Sequence, residues 1–337
     1  MTAGPPPGNT ESPQSTERPG RIDAVPVRHP GRWVAVAVIG VLVAMFINML
    51  VTNDAFEWRF VLDVMTREPV LRGLLLGTLW VTVLAMLIGV TVGVTLAVMR
   101  LSPNPVLSSV AFVFIWFFRG VPRLVLLTIM GSLGVLFQGG MDFGVPFDHV
   151  ILGWMGVDGD LRFFSLDANT VFVGVTGGAI GLGLSEAAYM AEIARAGITS
   201  VDEGQREAAQ ALGMTPASTM RRIVLPQAMR VIVPPTGNEL MSMVKDTSLL
   251  IGIPVATELF FQLRSIGSAT FKVIPVLTAA CLWYLIIGSL LMVGQYFLEQ
   301  RFNRGYGART GNAVTTGSDD DAPGATASDE ATMGGGR

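Results

Sequence analysis

The chain has 337 residues, 50% of them hydrophobic and only 15% charged, where a soluble domain of this size carries roughly 25% charge. Mean hydropathy is +0.53, and several apolar runs reach the length of about 20 residues that crosses a bilayer as a helix, so a soluble enzyme is excluded and an all-α integral membrane protein is expected. The single cysteine, Cys281, excludes an internal disulfide and a cysteine-rich metal site; the net charge of −3 says little, because most acids lie in tails and loops.

Residues 1–30 are rich in Pro, Gly, Ser and Thr and read as a disordered tail. Trp33 to Leu50 follows Arg28 and Arg32 and reads as a first transmembrane helix, within residues 31–52. A cleaved signal peptide fits less well, since no small-residue cleavage pattern follows the run. After a polar segment from Thr52 to Pro69, the second span covers Leu71 to Met99, with Gly73/Gly77 and Gly89/Gly93 spaced for close helix contact. The third span follows the turn Arg100 to Pro105, is interrupted at Phe117 to Pro122, and ends near Phe137. A polar loop over residues 138–169 carries five aspartates. The fourth span, Thr170 to Thr199, contains Glu186 and Glu192. A fifth begins near Val231, where Pro234, Pro235 and Gly237 predict a bent or broken helix. Val273 to Phe297 is the sixth, and residues 301–337 form a polar, low-complexity tail.

Between the fourth and fifth spans lies a polar, Arg-rich segment whose helix ends can be read directly. Ser200 with Glu203 has the spacing of a capping box, and the Ala-rich helix after it should stop at Gly213, which adopts a left-handed conformation cheaply. Thr215 then caps a second helix with Pro216 in its first turn, and Pro226 is expected to end it. Thirteen of the 23 Lys and Arg residues fall in the amino-terminal tail, the turn at Arg100, this hairpin and the residues after the sixth span, against six on the other side. Both tails and the hairpin are therefore expected to face the cytoplasm.

Glu207, Ala208, Ala209, Gly213, Ile223, Leu225 and Pro226 fit E-A-A-x3-G-x9-I-x-L-P without a mismatch. This pattern resembles the cytoplasmic signature loop of permease subunits of binding-protein-dependent ABC importers. The flanks AAYMAEIARAGITSVDEGQREAAQALG (Ala187 to Gly213), LPQAMR (Leu225 to Arg230), Asn238-Glu239 and KDTSL (Lys245 to Leu249) resemble the polar amino-acid branch, of glutamate, glutamine and histidine type. Phe118 to Leu127 is similar to the F-R-G-T-P-L-L-V-Q-L element of that branch. Here Val121 stands where threonine is usual, Arg123 where leucine is, and Leu126 where glutamine is.

The resemblance covers roughly residues 70–300 and implies a type I ABC importer transmembrane domain. That means a five-helix core, here preceded by one extra helix to make six spans, with a cytoplasmic coupling hairpin. It implies a bacterial cytoplasmic-membrane location, a second permease subunit, a dimer of ATPase subunits that the hairpins enter, an extracytoplasmic solute-binding protein, and a polar amino acid as substrate. The seven signature residues would couple to the ATPase. No Walker-type G-x4-G-K-[ST] occurs in the chain, so ATP and its magnesium would bind the partner, and no cofactor is expected here.

Ionisable residues at membrane depth mark candidate pathways. Glu186 lies about 20 Å from the cytoplasmic end of its span and Lys245 about 21 Å, at the helical rise. Two readings of this pair stand: a structural ion pair, or opposite charges matching the zwitterionic head of an amino acid. Glu239 and Asp246 could join either, and Tyr189, on the face of Glu186, and Asn238 complete the candidate pathway set. Glu192 can meet Arg195 at i+3, while Arg119 reads as snorkelling beside a helix break near the cytoplasmic interface. Other readings are the same machinery carrying a different small solute, and a channel or secondary transporter working alone. The two histidines, His29 and His149, lie outside the spans, and no His/Cys metal cluster or Ser-His-acid arrangement emerges.

Overall fold

The computed structural model describes residue 4 and residues 30–156, 159–253 and 255–303; the tails expected at 1–30 and 301–337 lie outside these apart from residues 4, 30 and 301–303. Two units are distinct, residues 1–54 and 55–337. The first contains α1, Pro30–Thr52. It is apolar on every side, and Trp33, Ile39, Leu42 and Phe46 are all exposed, the surface of a helix whose solvent is lipid.

In the second unit α2 (Trp58–Met65) buries Val61 and Val64, and the Trp283 indole N–H donates to the Met65 carbonyl at 3.3 Å. Next, α3 (Glu68–Arg72) runs through a π turn, Gly73–Leu79, into α4 (Trp80–Arg100), one apolar helix of 33 residues. The Asn104 carboxamide caps α5 (Pro105–Gly120) by accepting from the Val106 N–H at 2.9 Å. Val121, ahead of Pro122, is extended, as the residue before a proline prefers. The chain therefore leaves α5 and enters α6 (Arg123–Gly131) after a 100° bend, the interruption expected of the third span.

After α7 (Leu133–Leu136) the expected polar loop is folded. Strands β1 (Met141–Gly144) and β2 (Arg162–Leu166) pair antiparallel around α8 (Asp148–Met155). Backbone N–H groups of Leu161 and His149 donate to the Asp148 carboxylate and hold its pKa below the usual range. This small β-hairpin is an addition to an otherwise helical fold. It leads through α9 (Ala168–Val171) to α10 (Gly174–Thr199), 26 residues or about 39 Å long.

Helices α4 and α10 meet along glycines. A methyl group at Gly89 would lie 2.7 Å from Glu186 Cγ, at Gly93 2.6 Å from Met190 Cβ, and at Gly183 2.7 Å from Ile88 Cβ. The glycine spacing expected from sequence is thus a packing device. Gly77 is closer still, its missing methyl 2.0 Å from the Thr257 carbonyl oxygen.

Following α10 come α11 (Glu203–Ala211), α12 (Pro216–Thr219), a π turn Met220–Val224, and α13 (Leu225–Asp246). Pro226 does not end a helix, as expected from sequence, but sits in the first turn of α13. The wider π turn re-phases the backbone just before a residue with no N–H to donate. Nor do Pro234 and Pro235 break α13, which continues through both. Polar side chains serve carbonyls there: Thr236 donates to Ile232 at 2.8 Å and Gln295 to Pro234 at 3.3 Å. A 3-10 turn, Thr247–Gly252, then α14 (Leu259–Thr270) and α15 (Val273–Asn303) complete the described residues.

Among the described residues, three helices are long and apolar enough to cross a membrane, or four if α5 and α6 form one broken span. Helices α10 and α13 are long enough, at 26 and 22 residues, but carry the ionisable groups from which the candidate site is built.

Candidate functional site

Two places hold the residues singled out by sequence. The first is the hairpin between α10 and α13. Its cap is not Ser200 but Asp202, whose carboxylate accepts from the Gly204 N–H at 2.7 Å. Because α10 runs to Thr199, Ser200 lies at its end and the hydroxyl donates back to the Gly197 carbonyl at 2.8 Å, leaving no capping box. Arg206 ties α11 to α10 by donating to the Ile198 carbonyl at 2.6 Å. Gly213 stops α11 as expected, with φ +75°. The Met214 N–H reaches back to the Ala209 carbonyl at 3.0 Å and that of Gly213 to Gln210 at 2.8 Å, closing the helix end in the Schellman manner. The Thr215 hydroxyl accepts from the Ser218 N–H, capping α12.

Ala209 is buried and Ile223 half-buried. Ile198, Val201, Val224 and Ala228 form the small core beneath. Glu207, Ala208, Gly213, Leu225 and Pro226 face outward. The sequence reading missed Leu212, which is 83% exposed beside Gly213. Its signal is local: an apolar residue in the last turn of a short polar helix.

The second place is a charged cluster where α6, α10 and α13 converge. Arg123 opens α6 directly after the bend. Its guanidinium Nη2 lies 2.9 Å from Glu186 and 3.8 Å from Glu239, and Nη1 donates to Asp246. The Arg123 guanidinium carbon stands 4.7 Å over the Tyr189 ring, and that of Arg119 5.4 Å. Glu186 is fully buried and Arg123 only 13% exposed. Arg119, the last residue but one of α5, thus sits at the level of Tyr189 on the other side of the bend from Arg123.

The expected Glu186–Lys245 pair is absent. Glu186 pairs with Arg123 and Lys245 is exposed. Asn238 also stands outside the cluster, accepting from Gln295 of α15 at 3.3 Å. The structure therefore brings together Glu186, Tyr189, Glu239 and Asp246 with Arg123, and leaves Asn238 and Lys245 apart. Arg123 was legible as a charge just past a helix break where the related pattern has leucine. Glu192 does meet Arg195, at 2.8 Å. A second buried acid escaped the sequence reading. Glu258, 1% exposed, caps α14 by accepting from the Phe261 N–H at 2.9 Å, and also accepts from the hydroxyls of Thr78 and Tyr284, each at 3.0 Å.

Residues 89–304 match the family described as the inner membrane component of binding-protein-dependent transport systems. An arginine transport system permease of Corynebacterium glutamicum is 45% identical over 295 residues, 86% of each chain. A probable glutamine ABC transporter permease of Bacillus subtilis is 31% identical over 229 residues, covering 68% of this chain and 91% of that protein. Among solved structures, an amino acid ABC transporter crystallised with histidines is similar, with TM-score 0.53 and 30% identity over 73% of this chain and 98% of that one. On the extent of these matches the chain belongs to the binding-protein-dependent transport system inner membrane components, as the permease subunit of an amino-acid ABC importer.

Proposed function

We propose that this permease carries a cationic amino acid, and that Glu186, Tyr189, Glu239 and Asp246 line its path. One observation carries this reading: three carboxylates from two helices converge on a guanidinium that packs on an aromatic ring. Carboxylates accept charge-assisted hydrogen bonds from a guanidinium fork, and the ring face adds a cation–π attraction. The likeness to an arginine permease supports the same class of substrate.

In this reading two such permease chains pair across the membrane, either copies or close relatives. Each hairpin sits in a cleft of a separate ATPase subunit in the cytoplasm. Glu207 is the charged anchor, Ala208 permits close approach, Leu212 adds an apolar contact, and Gly213 sets the angle to the following helix. Ala209 and Ile223 pack the hairpin against the base of α13, where the outward-facing Leu225 and Pro226 extend the contact with the ATPase, and α13 carries Glu239 and Asp246. Motion at the hairpin thereby reaches the cluster through one continuous helix. Both termini face the cytoplasm, and a solute-binding protein delivers substrate on the opposite side.

The test is uptake of labelled arginine by proteoliposomes holding the permease, its ATPase and its binding protein. ATP-dependent uptake that lysine suppresses and glutamate does not is expected. Uptake by the permease alone, driven by an ion gradient, would instead favour a secondary transporter.

A further inference from the structure

The acidic cluster is already occupied by a cation from the chain itself. Glu186 on α10 and Glu239 and Asp246 on α13 surround the Arg123 guanidinium, with Tyr189 beneath it. This is the donor-acceptor arrangement that a free guanidinium or ammonium group would enter. The tethered occupant fills it incompletely. Glu239 stands at 3.8 Å, too far for a hydrogen bond. The Oε1 atom of fully buried Glu186 has no hydrogen-bond partner. A buried acceptor left unpaired costs about 1–3 kcal/mol, more when charged, so the cluster retains an unmet demand for donors. Arg123 begins its helix, immediately after the Gly120–Pro122 bend, and keeps a partly exposed edge.

We propose that Arg123 is a tethered competitor. Its guanidinium holds the cage of Glu186, Glu239, Asp246 and Tyr189 in the empty transporter, and the guanidinium or ammonium group of a cationic amino acid displaces it on entry. The proposal rests on reading that cluster as the substrate site. Two consequences follow from electrostatics. The empty cage never presents three uncompensated carboxylates at membrane depth, which would cost several kcal/mol. Substrate also binds more weakly than the bare cage would hold it, since part of its binding free energy is spent expelling Arg123, and weaker holding speeds release.

The test is equilibrium binding of labelled arginine to the detergent-solubilised permease–ATPase complex, without binding protein. Arg123→Leu is expected to bind arginine at least about tenfold more tightly than the wild type, because the competing occupied state is gone. Arg123→Lys, which keeps the charge but loses the two-pronged fork, is expected to bind several-fold more tightly. Methylguanidine should displace arginine from the Leu variant more readily than from the wild type. Equal or weaker arginine binding by a normally melting Leu variant overturns the proposal. Should that variant fail to assemble, equal or weaker binding by the Lys variant overturns it in the same way. Glu239→Gln in each background separates the two levels of argument. If it abolishes arginine binding while the Arg123 variants bind no more tightly, only the competitor is wrong; if it changes nothing, the cluster is not the substrate site.

Discussion

Glu239 and Asp246 lie seven residues apart on α13, two helical turns, and both face the Arg123 guanidinium. Lys245 and Asn238 are each one residue, about 100° of rotation, off that line. One is exposed and the other is turned to Gln295. Single substitutions should divide accordingly. Glu239→Gln and Asp246→Asn each remove a charged partner worth about 1.5–3 kcal/mol, so arginine uptake should fall about tenfold or more. Asn238→Ala and Lys245→Ala should stay within about twofold, as surface changes usually do. Initial uptake rates in proteoliposomes read the contrast. Equal losses at all four positions would remove the facing argument.

At the hairpin, Gly213 is left-handed and its N–H is bonded to Gln210. Proline can supply neither the conformation nor the donor. Gly213→Pro should abolish substrate-stimulated ATP hydrolysis while membrane insertion and yield remain normal. Leu212→Asp, at an exposed apolar position, should weaken ATPase association by about 2 kcal/mol, roughly 30-fold, if it is an anchor of that contact. Titration of labelled ATPase against the solubilised permease measures it, and undiminished association would exclude Leu212 from the interface.

Glycine positions offer a test of packing. Alanine at Gly77 would place its methyl 2.0 Å from the Thr257 backbone oxygen, whereas at Gly294 it would meet nothing within 4 Å. Gly77→Ala must push α14 away from the Gly73–Leu79 turn, an overpacking penalty of about 1–3 kcal/mol or more. Gly294→Ala should be neutral or stabilise by up to about 1 kcal/mol. Thermal unfolding in detergent should separate the two, and equal melting would contradict the close approach.

Helix existence was readable along most of the chain because an apolar run states its length in one dimension. The ends at Gly213 and Thr215 follow from local chemistry. Pro226 and Ser200 defeated the same local reasoning. A proline reads as a stop unless the preceding turn is known to be wide, and Ser200 competes with Asp202 for one cap until the end of α10 is known. Pairing across helices is a different kind of information. Counting residues set Glu186 and Lys245 at similar depth, yet depth does not specify rotation about the axis of α13, and rotation turns Lys245 outward. Arg123 reaches Glu186 from 63 residues away in sequence, across a 100° bend whose direction no local pattern encodes.

Glu258 supplies the last prediction, because its three donors come from three separate parts of the chain. The Phe261 N–H belongs to the first turn of α14, Thr78 to the π turn before α4, and Tyr284 to the middle of α15. Removing the carboxylate therefore opens a helix cap, worth about 1 kcal/mol, and strands two hydroxyls where each unpaired group costs about 1–3 kcal/mol. Glu258→Ala should lower stability by about 3–5 kcal/mol, close to the limit for a single change. Glu258→Gln keeps one acceptor oxygen, either at the Oε2 position for the Phe261 N–H or at the Oε1 position that the two hydroxyls share, and should lose less than half as much. Urea or thermal unfolding of the purified permease in detergent compares them. If alanine and glutamine destabilise equally, the charge rather than the shared acceptor geometry holds α14 against α15.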